Sequence, residues 1–314
     1  MDRATKISII GAGNVGSTFA YALMLNGLAS EIVLVDIDKE KAAGEMMDLN
    51  HALSFSRPVE IHSGDYEDCQ DSDVIVITAG AAQKSGETRL QLVEKNVDIF
   101  RKMIPEINKN APNALIIVVS NPVDILTYVT WKLSDLPKER VIGSGTILDT
   151  SRFRYELANK FGIDPRNIHA YIIGEHGDSE VPVWSLANVA GVRFKEYCPL
   201  CGIEYDQEEM DKLFKKTKTA AYKIIDAKGS TYYAIASGTV RIVESIIRNE
   251  NAILTVSTLV NDYYDVDDIC ISVPAVVNRN GIKELIGLIL DDSEADAFRK
   301  SANILKDIAG SLDL

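Results

Sequence analysis

The chain has 314 residues, is 46% hydrophobic and carries a formal charge of −13, with a sequence pI near 4.9. That length allows one large or two medium domains with a sizeable core. The acidic balance argues against nucleic acid or an anionic membrane as the main partner, and it makes any arginine set near glycines a candidate for holding an anion.

Lys6 to Ile10 reads as a short buried strand, followed by Gly11-Ala12-Gly13-Asn14-Val15-Gly16 and a helical stretch from Ser17 to Leu25. G-x-G-x-x-G between a strand and a helix is a dinucleotide-binding pattern. Gly11 allows the tight turn, Gly13 lets a pyrophosphate approach the backbone, and Gly16 lets helix and strand pack closely. The phosphates would sit at the helix start, against unpaired N–H groups that include the neighbourhood of Val15. A second apolar strand, Glu31 to Val35, ends at Asp36, which lies 20 residues beyond the last glycine. A carboxylate there binds ribose hydroxyls and repels a 2′-phosphate, so the expected cofactor is NAD rather than NADP.

The alternation continues with a helix from Lys39 to Asn50, a strand over 73–78, a helix over 90–110, a strand over 114–119, a helix over 123–133 and a short strand over 140–143. Near-continuous Val/Ile strands between helices predict an α/β fold built on a Rossmann-type doubly wound parallel sheet. Ligands bind at the carboxyl ends of such strands, which marks Gly80, Ala81, Ser120, Asn121, Ser144 and Thr146. The second half mixes helices with alternating strands such as 268–273, and reads as a separate α+β substrate region packed against the first. The expected division is 1–143 for the cofactor and 144–314 for the substrate.

Four cysteines, Cys69, Cys198, Cys201 and Cys270, are too few for a disulfide framework. Cys198-Pro-Leu-Cys201 has C-x-x-C spacing without a second copy, and reads as reduced thiols in a loop rather than a metal site. Met1-Asp2-Arg3 leads straight into an apolar strand, with no signal peptide or spanning run, so the expected location is the cytoplasm.

The stretch that carries chemistry is Tyr171-Ile172-Ile173-Gly174-Glu175-His176-Gly177-Asp178-Ser179. Histidine titrates near ~6.5, so His176 can give or take a proton at neutral pH, and the glycines let a substrate come close. Leu148-Asp149-Thr150-Ser151-Arg152-Phe153-Arg154 opens a helix. Asp149 and Arg152 are three apart and share a face, whereas Arg154 points elsewhere. The polar run from Gly80 to Arg89 reads as a lid that closes over bound cofactor and delivers Arg89. Thr231 and Tyr232 lie near a further helix start.

Together these stretches resemble the lactate/malate dehydrogenase family over nearly the whole chain. The glycine run with Asp36, the loop from Gly80 to Leu90, Asn121-Pro122-Val123-Asp124, Leu148-Asp149-Thr150-Ser151-Arg152 and Ile173-Gly174-Glu175-His176-Gly177-Asp178 occur in the family's order. Small departures stand at Ser151 and Ser230, where relatives commonly have alanine. The resemblance implies reversible hydride transfer between NADH and a 2-oxo acid such as pyruvate, giving L-lactate and NAD+. It implies His176 as proton donor, Asp149 as its orienting carboxylate, Arg152 as the clamp on the substrate carboxylate, Arg89 as the group polarising the carbonyl, and Asn121 and Thr231 as further substrate contacts. Gln83 stands where malate-using relatives place an arginine. A second substrate carboxylate would be left without its partner there, which favours the lactate branch. Arg154 and His169 match residues that in many bacterial relatives bind fructose 1,6-bisphosphate at a subunit interface and favour a homotetramer. A malate-type enzyme and a non-catalytic NAD-sensing module are the alternatives.

Overall fold

The structure, a computed structural model, describes residues 5–81 and 89–312. The first half runs β1 (Lys6–Ile10), α1 (Asn14–Asn26), β2 (Glu31–Val35), α2 (Lys39–His51), β3 (Glu60–Gly64), β4 (Val74–Ile77), α3 (Arg89–Asn110), β5 (Leu115–Val118), α4 (Val123–Leu133) and β6 (Val141–Gly143). The six strands pair in parallel in the order β3-β2-β1-β4-β5-β6, so the chain adds strands outward on one side of β1 and then, from β4, on the other. That reversal opens a crevice at the carboxyl ends of β1 and β4.

The strands are buried on both faces, which is why they are written in Val and Ile. Side chains alternate across the sheet. Ile75 and Ile77 join one apolar cluster with Val97 and Phe100 of α3, while Val74 and Val76 join the opposite one with Phe19 and Leu23 of α1. Strand β3 was not read from the sequence. Its pattern, Glu-Ile-His-Ser-Gly, buries only Ile61, because it is the edge strand.

The second half continues with α5 (Ile147–Phe161), β7 (Ile168–His169), β8 (Ile172–Ile173), β9 (Val181–Pro182), β10 (Asn188–Val189), β11 (Val192–Arg193), α6 (Phe194–Leu200), α7 (Gln207–Lys228), α8 (Tyr233–Ile247), β12 (Ala252–Val260), β13 (Ile269–Asn278), β14 (Gly281–Leu285) and α9 (Asp292–Gly310). Antiparallel β12, β13 and β14 do not form a sheet of their own. Ser257 of β12 pairs with Gly143 of β6, so the described residues build one nine-stranded sheet running through both halves. The expected separate region is thus joined to the first by backbone hydrogen bonds, although α5, α6 and α7 keep their own cluster around Phe153, whose ring meets Trp184 edge-on at 4.8 Å.

The C-x-x-C reading needs correction. Cys198 lies inside α6 and is buried, and Cys201 caps that helix and is exposed, so neither thiol belongs to an open loop. Local apolar spacing in Phe194-Lys195-Glu196-Tyr197-Cys198 is helical, and Pro199 concealed it. No group of three or more potential metal-ligating side chains occurs among the described residues. None of their helices is long and apolar enough to cross a membrane.

Candidate active site

The glycine run forms the turn between β1 and α1. Gly11 takes φ +109°, and a Cβ on it would lie 2.6 Å from the Ala79 nitrogen. A Cβ on Gly16 would lie 1.9 Å from the Gly11 carbonyl oxygen. A Cβ on Gly13 would meet nothing within 4 Å among the described residues, so its backbone is open to approach. The α1 helix begins at Asn14, three residues earlier than read, and no side chain caps it. Asp36, at the end of β2, accepts from the Ala12 N–H at 2.6 Å and from the Asp38 N–H at 2.9 Å. The next residue, Ile37, is fully exposed.

The ends of β4 and β5 are tied together. Asn96 of α3, fully buried, accepts from the Ala81 N–H at 2.7 Å and donates to the Asn121 carbonyl at 3.1 Å. Ser120 donates to the Ala79 carbonyl at 2.6 Å. A Cβ on Gly80 would meet Asn96 Oδ1 at 3.2 Å. The Asn121 side chain is exposed on this rim, and Ser144, buried after β6, donates its N–H to Val118 at 2.8 Å. Thr231 is half-buried just before α8, and its neighbour Ser230 accepts from Asn14 at 3.1 Å across the two loops. Gln83 lies outside the described residues, as does the side chain of Arg89, where α3 begins.

One carboxylate organises the chemistry. Asp149, in the first turn of α5 and 4% exposed, meets His176 Nδ1 through Oδ2 at 2.5 Å and accepts from Arg152 Nη1 through Oδ1 at 3.0 Å. The i, i+3 spacing brings Arg152 back over Asp149, as read. His176 is carried by the loop after β8. Gly174 takes φ +93° and pairs backbone-to-backbone with Ser272 of β13, at 2.9 and 3.1 Å. The His176 N–H then donates to Asp124 Oδ2 at 2.7 Å.

Burial pulls the imidazole toward its neutral form. Asp149 opposes this most strongly, then Asp124 and Glu180, and the His176 pKa rises to about 9. For Asp149, burial favours the protonated form, but the facing imidazolium and Arg152 outweigh it and the pKa falls below the ordinary value. Burial, and then the charge of Asp149, raise Glu180 to about 8, and its Oε1 has no hydrogen-bond partner among the described residues. The site therefore holds an imidazolium and a guanidinium on one shared carboxylate, groups able to give a proton and to bind an anion.

Arg154 points the other way, as expected from its spacing. Its Nε donates to the Ala170 carbonyl at 3.0 Å, beside exposed His169, and the guanidinium lies 5.5 Å from the Tyr171 ring centroid. A cleft of about 1380 Å³ bordered by Asp71, Asp73, Arg140 and Arg279 sits at the amino ends of the strands, away from all of these groups.

Three site residues carried no assigned role in the sequence reading. Asn96 could have been found as a polar residue on the apolar face set by Val93, Val97 and Phe100. Asp124 stood in a quoted motif, and Glu180 was passed over because nothing local distinguishes a buried glutamate from a solvated one.

Residues 5–143 match the lactate/malate dehydrogenase NAD-binding domain, and residues 146–311 match the family's α/β C-terminal domain. The chain belongs to the lactate/malate dehydrogenase family. Within the family it is 55% identical over 309 residues to an L-lactate dehydrogenase of Acetivibrio thermocellus, covering 98% of each chain. It is 54% identical to L-lactate dehydrogenase 1 of Clostridium acetobutylicum, covering 99% of this chain and all of that one. Among solved structures, a ligand-bound minor L-lactate dehydrogenase from Enterococcus mundtii superposes with a TM-score of 0.96 at 44% identity, over 99% of each chain. The family's first domain is an NAD-binding one, and the open backbone at Gly13 beside Asp36 suits a dinucleotide.

Proposed function

We propose that the chain interconverts pyruvate and L-lactate with NADH and NAD+. The observation that carries this is the Asp149 carboxylate shared between His176 and Arg152, at 2.5 and 3.0 Å. NADH supplies the hydride when bound. Gly11, Gly13, Val15 and Gly16 would hold its pyrophosphate, Asp36 a ribose, and Gly80, Ala81, Asn121 and Ser144 the rim toward the nicotinamide. Residues 1–143 thus serve mainly the cofactor, and residues 144–314 supply the acid and the anion clamp.

His176, protonated, hydrogen-bonds the substrate carbonyl oxygen and gives it the proton as that oxygen gains charge. Asp149 holds the ring in one orientation and keeps it cationic until transfer. Arg152 binds the substrate carboxylate with two parallel hydrogen bonds, turning its outer nitrogens from Asp149 to the ligand. Asn121 adds a hydrogen bond, Thr231 closes the far wall, and Arg89 polarises the carbonyl once water is excluded. Gln83 selects the substrate. Opposite a neutral amide a methyl group is accepted, whereas a second carboxylate loses several kcal/mol, on the order of a thousandfold in discrimination. The relatives named as L-lactate dehydrogenases support the same choice.

Arg154 and His169 are proposed to bind fructose 1,6-bisphosphate at an interface of a homotetramer. The support is their position: both lie on one edge beside Ala170, turned from Arg152. Cancelling like charges there would couple assembly to activity.

The test is NADH oxidation by the purified protein with pyruvate and with oxaloacetate, each with and without the bisphosphate. Fast turnover of pyruvate, raised by the bisphosphate, is the expected result. Preference for oxaloacetate would overturn the role of Gln83, and a rate and KM indifferent to the bisphosphate would overturn the effector site.

A further inference from the structure

One hydrogen bond joins the cofactor turn to the wall of the substrate site, and no step described above uses it. Asn14 opens α1 within the glycine run, and its Nδ2 donates to Ser230 Oγ at 3.1 Å, across 216 positions of sequence. Asn14 lies between Gly13, whose backbone is open to approach, and Val15, where the unpaired N–H groups of the helix start favour a phosphate. Ser230 immediately precedes Thr231, in the short connection between α7 and α8.

Each partner is placed for this contact by its own element. The first turn of α1 is held without the Asn14 side chain: the Ser17 hydroxyl donates to the Gly13 carbonyl at 3.0 Å and the Thr18 hydroxyl to the Asn14 carbonyl at 2.6 Å. The connection at Ser230 has little restraint of its own. Gly229 ends α7 at φ +86°, and a Cβ there would meet nothing within 4 Å among the described residues. Lys228 Nζ lies 3.2 Å from the Tyr232 ring centroid and 4.2 Å from that of Tyr233, which ties the two ends of the connection to each other. Neither contact ties it to the cofactor turn. The Asn14–Ser230 bond does.

We propose that Asn14 and Ser230 form a clasp that seats the Thr231 wall against the dinucleotide turn, so that a cofactor filling the turn also sets the wall for pyruvate. Both are positioning residues, since they act through the turn and through Thr231. Ser230 is one of the two departures noted in the sequence, and an alanine there has no atom to accept the bond. The coupling is reciprocal: pyruvate held by the wall tightens the cofactor by the same factor. The proposal rests on the pyruvate reading above.

The experiment compares wild type with Ser230→Ala, Ser230→Thr, Asn14→Ala and the double variant N14A/S230A. It measures kcat and KM for pyruvate at saturating NADH. It also measures NADH affinity by fluorescence, with and without oxamate, an unreactive amide with the shape and charge of pyruvate. For S230A the expected result is NADH affinity without oxamate and kcat each within about twofold of wild type, and a pyruvate KM raised about three- to fivefold, the loss of one neutral, exposed hydrogen bond. The tightening of NADH by oxamate falls by the same factor. S230T keeps the hydroxyl and restores both values. The double variant has the KM of N14A, because the bond is already lost. An unmoved KM in S230A, an oxamate effect equal in wild type and S230A, or KM rises that multiply in the double variant would overturn the clasp. A wild type that turns over no pyruvate would overturn the functional reading itself, and the clasp's role with it.

Discussion

Asp149 holds two cations with one carboxylate, and removing its charge should therefore damage two functions at once. In Asp149→Asn the imidazolium loses its largest stabilising partner, so kcat/KM for pyruvate should fall about 100-fold or more at neutral pH, with a steeper loss in alkaline buffer. Steady-state assays at pH 6 and 8.5 check this, and an equal loss at both would contradict it. Arg152→Lys tests the clamp alone. A lysine offers a point charge in place of a two-pronged donor, so the pyruvate KM should rise about 100-fold with NADH binding untouched. The same groups govern stability. His176 is raised from 6.5 to about 9, so its contribution is complete below pH 6.5 and is lost as pH climbs through 9. Glu180, raised from 4.5 to about 8, binds its proton more tightly when folded and also weakens the fold as pH rises toward 8. The two act in one direction, and Tm should fall between pH 6.5 and 9 in calorimetry. A Tm that rises over that interval would contradict the assignment.

At the scale of elements, the dinucleotide turn was legible because each glycine answers a local demand that no other residue meets. Gly11 needs positive φ, and Gly16 touches backbone. The prediction is a contrast. Gly16→Ala forces a Cβ against the Gly11 carbonyl, 1.9 Å away, and should cost about 2–4 kcal/mol of stability. Gly13→Ala has open space, so the protein should melt like wild type but bind NADH about tenfold or more weakly, because the methyl fills the approach to the backbone. Melting and fluorescence titration of both variants separate the two effects. Strands with continuous Val/Ile were equally legible. Edge strand β3 and the helix carrying Cys198 were not, since each takes its structure from neighbours distant in sequence. The same holds for Asn96, whose two partners lie 15 and 25 residues away.

At the scale of the molecule, a doubly wound parallel sheet followed from the alternation of five strands with helices, but the edge strand β3 and the continuation of the sheet did not. Strand β12 reaches β6 from more than a hundred residues away, and local pattern cannot announce a neighbour at that distance. The junction is tight: a Cβ on Gly143 would come within 2.3 Å of Thr127 Oγ1 and 2.8 Å of Ser257 Cβ. Gly143→Ala should therefore loosen the seam between the NAD-binding and C-terminal domains and lower Tm in a single transition shared by both. Two separate transitions would mean that the halves fold independently. The glycine turn and Asp36 lie before this seam in sequence, and Asp149 and His176 after it.

Whether His176 is the proton donor held charged by Asp149 is tested most directly by kcat/KM against pH in both directions with the wild-type protein. Pyruvate reduction needs the proton in place, so it should hold steady at neutral pH and fall as pH rises through about 9, while lactate oxidation, which needs the neutral ring, should rise toward the same value. Rates in either direction that are flat through pH 9, or that turn only at a pH near the ordinary ~6.5 of histidine, would contradict it.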